Sequence, residues 1–290
     1  MSSIKMPVLT ALITSLPSLL KQLMQVEPVI LDDLPVIESL QPSDWKEVAE
    51  HYRYYIKHDN CVPLKLTEDG AIRAVGALIY HQDSAWLAHI IVDPAFRGHG
   101  AGTRITQALI DKVDPEYFSS IFLMSTELGY PVYLKLGFVE EAKQLFYISD
   151  NKVIEQERHP SVQNIHPSDY PQVFKLDHLA YGEIRTYRLL QGIETALVFK
   201  NKENEIEGVY FPDLLEGPVL AYTPEAGKAL MIERMKSHNI AIVPDSNQEA
   251  IAVLEAFNWK VFRSARRMRL GAKRIWHPAL IYNRFSGQLG

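Results

Sequence analysis

The sequence predicts a mixed α/β fold, a twisted sheet flanked by helices, built twice in tandem. Three observations predict it. In the first half, three strand-like runs follow one another through turns, and then helix and strand alternate. The third run ends at Val92-Asp93-Pro94 and passes through Arg97-Gly98-His99-Gly100-Ala101-Gly102 into an amphipathic pattern, a strand–loop–helix joint. The second half repeats the order of the first, and a repeated order points to one fold used twice.

The elements read in order as follows. Over 1–27, Leu9, Leu12, Ile13, Leu16, Leu20 and Leu23 recur at helical spacing, broken by Pro7 and Pro17. No stretch there reaches the ~20 apolar residues of a membrane span, and no small-residue cleavage site follows. The expectation is an amphipathic helical extension packed on the body or on a partner subunit, which leaves a homodimer open. The body of the first domain, 28–150, opens with helices at 32–41 and 43–58, the second capped by Ser43 or Asp44. Strands are expected at 61–66, 71–81 and 86–92, a helix at 100–113, a strand at 120–125, a short helix at 130–136 ended by Gly137, and a strand at 139–148. A polar stretch, 151–166, reads as a linker. The second domain, 167–290, should run helix 168–179, strands 196–200, 207–211 and 219–222, helix 224–238, strand 241–243, helix 248–257 and strand 260–270.

Composition narrows the function. The chain has 290 residues, 47% hydrophobic and 22% charged, ordinary for a globular protein without a membrane span. Its one cysteine, Cys61, excludes an internal disulfide and fits a reducing, cytoplasmic setting. The formal net charge of −5 speaks against a nucleic-acid binder. The first half is the acidic one, which would steer a cationic amine or serve solubility alone. No metal-ligand spacing is present.

The glycine series carries the chemistry. Each Gly loses more backbone freedom on folding than any other residue, so three in alternation need a reason. A loop of this kind opening a helix presents unpaired amides and the positive end of the helix dipole, an anion site. Arg97 adds a planar cation suited to phosphate. The P-loop pattern fails because Gly102-Thr103-Arg104 lacks the lysine, and the dinucleotide fingerprint fails because hairpin-linked strands precede the loop.

Val92-x-Pro94-x-x-Arg97-Gly98-x-Gly100-x-Gly102 resembles the acyl-CoA diphosphate loop of the GNAT superfamily of N-acetyltransferases. Tyr133-Leu134-Lys135-Leu136-Gly137-Phe138 resembles that family's Tyr-x-x-Leu-Gly-Phe segment, in the expected order. The resemblance covers about 28–150 and implies a GNAT-like fold with acetyl-CoA as cosubstrate. It implies that backbone at Ile91 and Val92 holds the pantetheine arm. Amides over Arg97, Gly98, His99, Gly100, Ala101, Gly102 and Thr103 would hold the diphosphate. It implies that Tyr133 donates a proton to the departing thiolate. Where the family often has an asparagine, Thr126 stands, which still offers a hydrogen bond to the pantetheine. Substrate walls in this family come from the first helices, and Trp45, Tyr52, Tyr54 and Tyr55 fall there; the same rings also read as core.

A base for the acceptor amine is open among His89, Glu127 and water. In the second half, 244–259 resembles a worn copy of the second signature. With Asn258-Trp259 set on Gly137-Phe138, Leu254 replaces Tyr133, and the loop at 223–227 lacks the glycine series. Asp177, Tyr181 and Arg185 either complete a substrate cleft or form an internal pair. The arginines at 263–274 read as a solvated strand face. The expected function is acetyl transfer from acetyl-CoA to a small-molecule amine or amino acid. A non-catalytic acyl-CoA sensor and a protein-lysine acetyltransferase are the alternatives.

Overall fold

The computed structural model describes residues 24–45, 47–150 and 156–289. The chain divides into two compact units. The first takes the chain up to Leu78 and then His89–Lys112; the second takes Ile79–Ala88 and everything from Val113 onward.

The first unit begins with β1 (Gln25–Pro28), α1 (Leu34–Leu40), α2 (Val48–Lys57), β2 (Cys61–Glu68) and β3 (Ala71–Tyr80). It continues into β4 (Ala85–Val92) and α3 (Ala101–Ile110). Strand order within it is β1-β2-β3-β4. Residues 25–27, expected within the helical extension, instead form a strand with Pro28 that pairs antiparallel with β2, Gln25 opposite Thr67 and Pro28 opposite Leu64. The leucine-rich stretch before them lies outside the described residues. The helix expected from residue 43 starts later, at Val48. Gln41 explains the delay, because its amide donates to the Trp45 carbonyl and its oxygen accepts from the Val48 N–H at 2.9 Å, capping the helix from outside.

The second unit adds β5 (Ser120–Ser125), α4 (Tyr130–Lys135), β6 (Val139–Ile148), β7 (Val162–Asn164), α5 (Tyr170–Tyr181) and α6 (Thr186–Leu189). Then come β8 (Leu197–Lys200), β9 (Ile206–Tyr210), β10 (Val219–Ala221), α7 (Pro224–Met235), β11 (Ile240–Pro244), α8 (Gln248–Ala256), β12 (Lys260–Gly271) and β13 (Ile281–Asn283). One sheet runs β4-β5-β12-β6-β11, the other β13-β10-β9-β8-β7. Only β4–β5 is parallel among the registered pairs of the first of these sheets, with Ala85–Leu87 opposite Ile121–Leu123. The last long strand, expected at 260–270, is present as β12. It lies between β5 and β6.

The β6–β12 ladder has a local two-fold pattern. Val139 pairs with Arg269 and Ile148 with Lys260. Each strand carries one extra residue, Glu141 on β6 and Phe262 on β12, and each is the third of its strand. The helices before them end alike: Phe138 N–H donates to Tyr133 O and Trp259 N–H to Leu254 O, both at 3.0 Å, around left-handed Gly137 and Asn258. Two more devices recur. Asp33 caps the Ile30 N–H and holds Lys65 at 2.8 Å; Asp169 caps the His166 N–H and holds Lys200 at 2.8 Å. A Cβ on Gly76 would meet Leu109 of α3 at 2.8 Å, and one on Gly208 would meet Leu230 of α7 at 2.7 Å. In both, a strand glycine lets a helix leucine press onto the sheet.

Candidate active site

In the first unit, β4 delivers the chain into the glycine loop. Ile91 is buried and Val92 half-buried. Asp93 then turns the chain, its carboxylate accepting from the Ala95 N–H at 2.9 Å. Gly98 and Gly100 both have φ of +82°, the left-handed region that side chains avoid. A Cβ at either would meet nothing within 4 Å. Gly100 is the N-cap of α3 and supplies no side-chain cap; helical bonding starts with Arg104 N–H to Gly100 O at 3.0 Å. The amides of Ala101, Gly102 and Thr103 therefore have no intrahelical acceptor. Arg97, Gly98, His99 and Gly100 are exposed. His99 leans away onto Phe96, ring centroids 5.0 Å apart, and Arg73 lies 4.8 Å over that Phe96 ring. Among the described residues the N-terminus of this ten-residue helix has no side-chain cap, and Arg97 stands three residues before its N-cap, an arrangement that fits a diphosphate.

His89 precedes this loop on β4 and has φ of +46°. Its ring stacks on His51, centroids 4.7 Å apart and planes at 25°, and meets the Trp45 edge at 5.7 Å. Its Nδ1 lies 2.8 Å from the Tyr55 hydroxyl, and the Tyr52 hydroxyl donates to its carbonyl at 3.0 Å. Burial pushes the imidazole down to about 3, with His51 adding repulsion. At neutral pH His89 is thus an uncharged hydrogen-bonding group with little appetite for a proton. The sequence had no signal for the His51 stack or for the left-handed backbone.

In the second unit, α4 carries Tyr133, which is 8% exposed and packs edge-on against Phe138 at 5.9 Å. Gly129 makes room for its ring, since a Cβ there would lie 2.7 Å from Tyr133 Cε2. Burial pushes the phenol well above its usual range, so the hydroxyl keeps its proton. Thr126, just past β5, is exposed, and its Oγ1 accepts from the Gly129 N–H at 3.4 Å. Glu127 is exposed too, but Arg266 holds it at 2.6 Å while also reaching Glu140 at 3.2 Å. That ion pair occupies the carboxylate that sequence offered as a base.

The remaining sequence candidates resolve into structure. Arg185 and Asp177 pair at 2.8 Å, both buried, with the Arg185 guanidinium 3.5 Å over Tyr181: the internal-pair alternative is what the fold contains. Arg263 of β12 is exposed, as a solvated face requires, but the arginines further along are drawn inward. Arg267 is 1% exposed, boxed by Phe122 and Trp276, and bonded to Glu183 at 3.0 Å and Glu141 at 3.2 Å. Arg269 shares Glu141, and Arg274 pairs with Asp83. The reason is topological, because β12 is an internal strand rather than an edge. Glu183, at the centre, also accepts from Ser84 and from the Trp86 indole, each at 2.6 Å. At the start of α7, where the second half would repeat the loop, Thr223 caps its own helix through the Ala226 N–H, and Tyr282 fills the space at Gly227.

Among the described residues no helix is long and apolar enough to cross a membrane, and no His, Cys, Asp or Glu group is arranged for a metal. Residues 34–147 match the family described as acetyltransferase (GNAT) domain. No curated protein matches the sequence. Similar solved structures include a putative acetyltransferase from Pyrococcus horikoshii, with TM-score 0.76 and 20% identity over 92% of this chain and 96% of that one. Another is a GCN5-related N-acetyltransferase from Sphaerobacter thermophilus, with TM-score 0.63 and 14% identity over 90% of this chain and 98% of that one. At such identities the likeness is one of fold, and it runs through both halves. Residues 34–147, the segment similar to the acetyltransferase (GNAT) domain family, contain the glycine loop and the Tyr133 helix.

Proposed function

We propose that the protein transfers the acetyl group of acetyl-CoA to a primary amine of a small molecule or amino acid. The observation that carries this reading is the uncapped start of α3, with Gly98 and Gly100 left-handed and open space above both. Amides of Gly98–Thr103 hold the diphosphate, Arg97 adds charge, and the backbone of Ile91 and Val92 pairs with the pantetheine arm. Thr126 offers that arm a further hydrogen bond.

The amine attacks the thioester carbonyl, the C–S bond breaks, and the sulfur leaves as a thiolate. Tyr133, kept protonated by burial, donates its hydrogen bond and then its proton to that sulfur. The amine's surplus proton goes to water, and solvent returns a proton to the Tyr133 phenolate. His89 and Glu127 both suit a base less well, the first because its imidazole is held at about 3 and the second because Arg266 occupies it. The second half is a degenerate copy that keeps the fold and has lost the coenzyme loop, as Leu254 in place of Tyr133 and the self-capped Thr223 support.

The test is thiol release with a panel of amines. Tyr133→Phe should lower kcat by ~10²-fold while acetyl-CoA affinity, measured by calorimetry, stays within about twofold. Equal turnover in the two proteins removes Tyr133 from the mechanism. Coenzyme binding without release by any amine replaces the enzyme with a sensor.

A further inference from the structure

We infer that the second half keeps a strand-binding groove where a coenzyme arm would lie, and that the chain fills it with its own peptide, β13, so the groove takes an extended peptide instead of acyl-CoA. The inference rests on the acetyl-transfer reading, which assigns Ile91, Val92, Thr126 and the start of α3 to the coenzyme. Each of these has a counterpart in the second half, and the counterparts meet β13 or the residues leading into it. β10 ends at Ala221 just before α7, as β4 ends at Val92 before the loop into α3. Along β10, Leu220 stands opposite Ile281 of β13, and Val219 opposite Asn283. With Leu254 set on Tyr133, Asn247 falls on Thr126. Asn247 is buried, and its amide donates to the carbonyls of Ala279 and Ile281, each at 2.9 Å. In the first turn of α7, a Cβ on Gly227 would collide with the Tyr282 ring.

A pantetheine arm and a peptide both present amides along an extended chain, so a strand edge with an inward amide side chain can hold either. Side chains decide for the peptide. Asn283 is fully buried. Its oxygen accepts from the Ile242 N–H at 2.8 Å, and its amide donates to the carbonyls of Glu216 and Gly217 at 2.8 and 3.0 Å. The Arg284 N–H donates to Ile242 O at 2.9 Å, and its guanidinium pairs with Glu216 at 2.6 Å. The Phe285 N–H donates to the Tyr181 hydroxyl at 2.9 Å. The segment thus joins β10, in one sheet, to β11, at the edge of the other. Strand addition takes affinity from main-chain bonds and selectivity from side-chain contacts, and here Tyr282 and Asn283 supply the second. Acyl-CoA finds no matching diphosphate site, because Thr223 caps α7 itself.

The experiment uses the full chain and a fluorescein-labelled peptide of residues 277–286. Asn283→Ala removes the pins of the resident strand. The labelled peptide, which keeps the asparagine, should bind this variant at least about tenfold more tightly than it binds the wild type. Melting temperatures report whether the variant is folded; if it is not, hydrogen exchange decides. In the wild type the Arg284 and Phe285 amides should exchange at least about tenfold more slowly than those of 273–275. Asn247→Asp keeps the oxygen that accepts from the Ala250 N–H at the start of α8, but turns a carboxylate on the two β13 carbonyls. It should speed exchange at Arg284 and Phe285 by about tenfold and leave α8 protected. Calorimetry should count one acetyl-CoA per wild-type chain. Equal peptide affinity in the two folded proteins, fast exchange at Arg284 and Phe285 in the wild type, an Asn247→Asp effect spread equally over α8, or two acetyl-CoA per chain overturns the inference. Failure of acetyl-CoA to bind at all overturns the transfer reading instead, and the peptide and exchange results still decide whether the groove holds a strand.

Discussion

Replacing Gly100 by Ala separates ligand binding from stability. The residue sits at φ +82°, where a Cβ costs about 1–2 kcal/mol. For a protein of this size that lowers Tm by roughly 2–4 °C per kcal/mol. The new methyl strains no packing, because nothing lies within 4 Å of it. It does occupy the space an anion must enter. A carbon keeps oxygens at about 3.5 Å or more, whereas amide hydrogen bonds need about 2.7–3.2 Å. Losing one charge-assisted bond costs about 1.5–3 kcal/mol, a fall in affinity of roughly 10- to 100-fold. Gly70 supplies the matched control: it has φ +78°, open space around its Cβ position, and lies in the β2–β3 turn. Gly70→Ala should lose the same stability and no affinity. Calorimetry with acetyl-CoA and a thermal melt on both variants decide the matter. If Gly100→Ala binds acetyl-CoA as tightly as Gly70→Ala, the helix start is not the diphosphate site and the coenzyme assignment fails.

Three further outcomes test the fold. Arg267→Ala strands the buried carboxylates of Glu183 and Glu141, and should cost about 3–5 kcal/mol in urea unfolding; a loss under about 1 kcal/mol contradicts the burial. Stability should fall as pH drops from 6.5 towards 3. Burial holds His81 down at about 3, so the unfolded chain takes a proton that the native one refuses. Glu183 adds to the same trend: burial alone would raise it, but the Arg267 guanidinium brings it below the usual range, so its contribution is lost as acid protonates it. At pH 5 the loss is about 2 kcal/mol per such imidazole, and a flat urea midpoint between pH 7 and 5 is the contrary result. Finally, a chain cut after Asp150 lacks β12, leaving β5 and β6 without their shared neighbour; it should be insoluble or unfolded by circular dichroism, and a cooperative melt would contradict that dependence.

What sequence disclosed, and what it hid, divides along a physical line. The loop's conformation was legible because left-handed backbone restricts residue type locally, at Gly98 and Gly100. The end of α4 was legible for the same reason, since Gly137 takes a dihedral that few residues tolerate. Strand partners were not legible. The alternation in β12 satisfies any neighbour, and nothing local says that it pairs with β5 rather than with its own half. Nor were the buried ions: Arg267 and Glu183 are far apart in sequence, and each alone reads as a surface charge. The capping role of Gln41 was hidden because it acts across a turn rather than from the N-cap position that the helix signals mark.

The position of β12 makes the last long strand of the sequence part of the ladders of β5 and β6. Its Arg266–Gly271 segment bonds β5 and its Lys260–Arg269 segment bonds β6, so one strand satisfies two ladders. The bulge at Glu141 puts an extra acid on β6 opposite the place where Arg267 and Arg269 reach across, and both arginines use it. Glu183, from the second half, closes the set by holding Arg267 together with Ser84 and Trp86 of the first. Deleting either half would leave charges buried without partners, a cost greater than most single mutations impose. In the second half the helix start of α7 is filled by Thr223 and Tyr282, whereas its last long strand is bound into both ladders. Substitutions at Thr223 should be tolerated by the transfer reaction, and reversals of charge at Arg267 should not be tolerated by the fold.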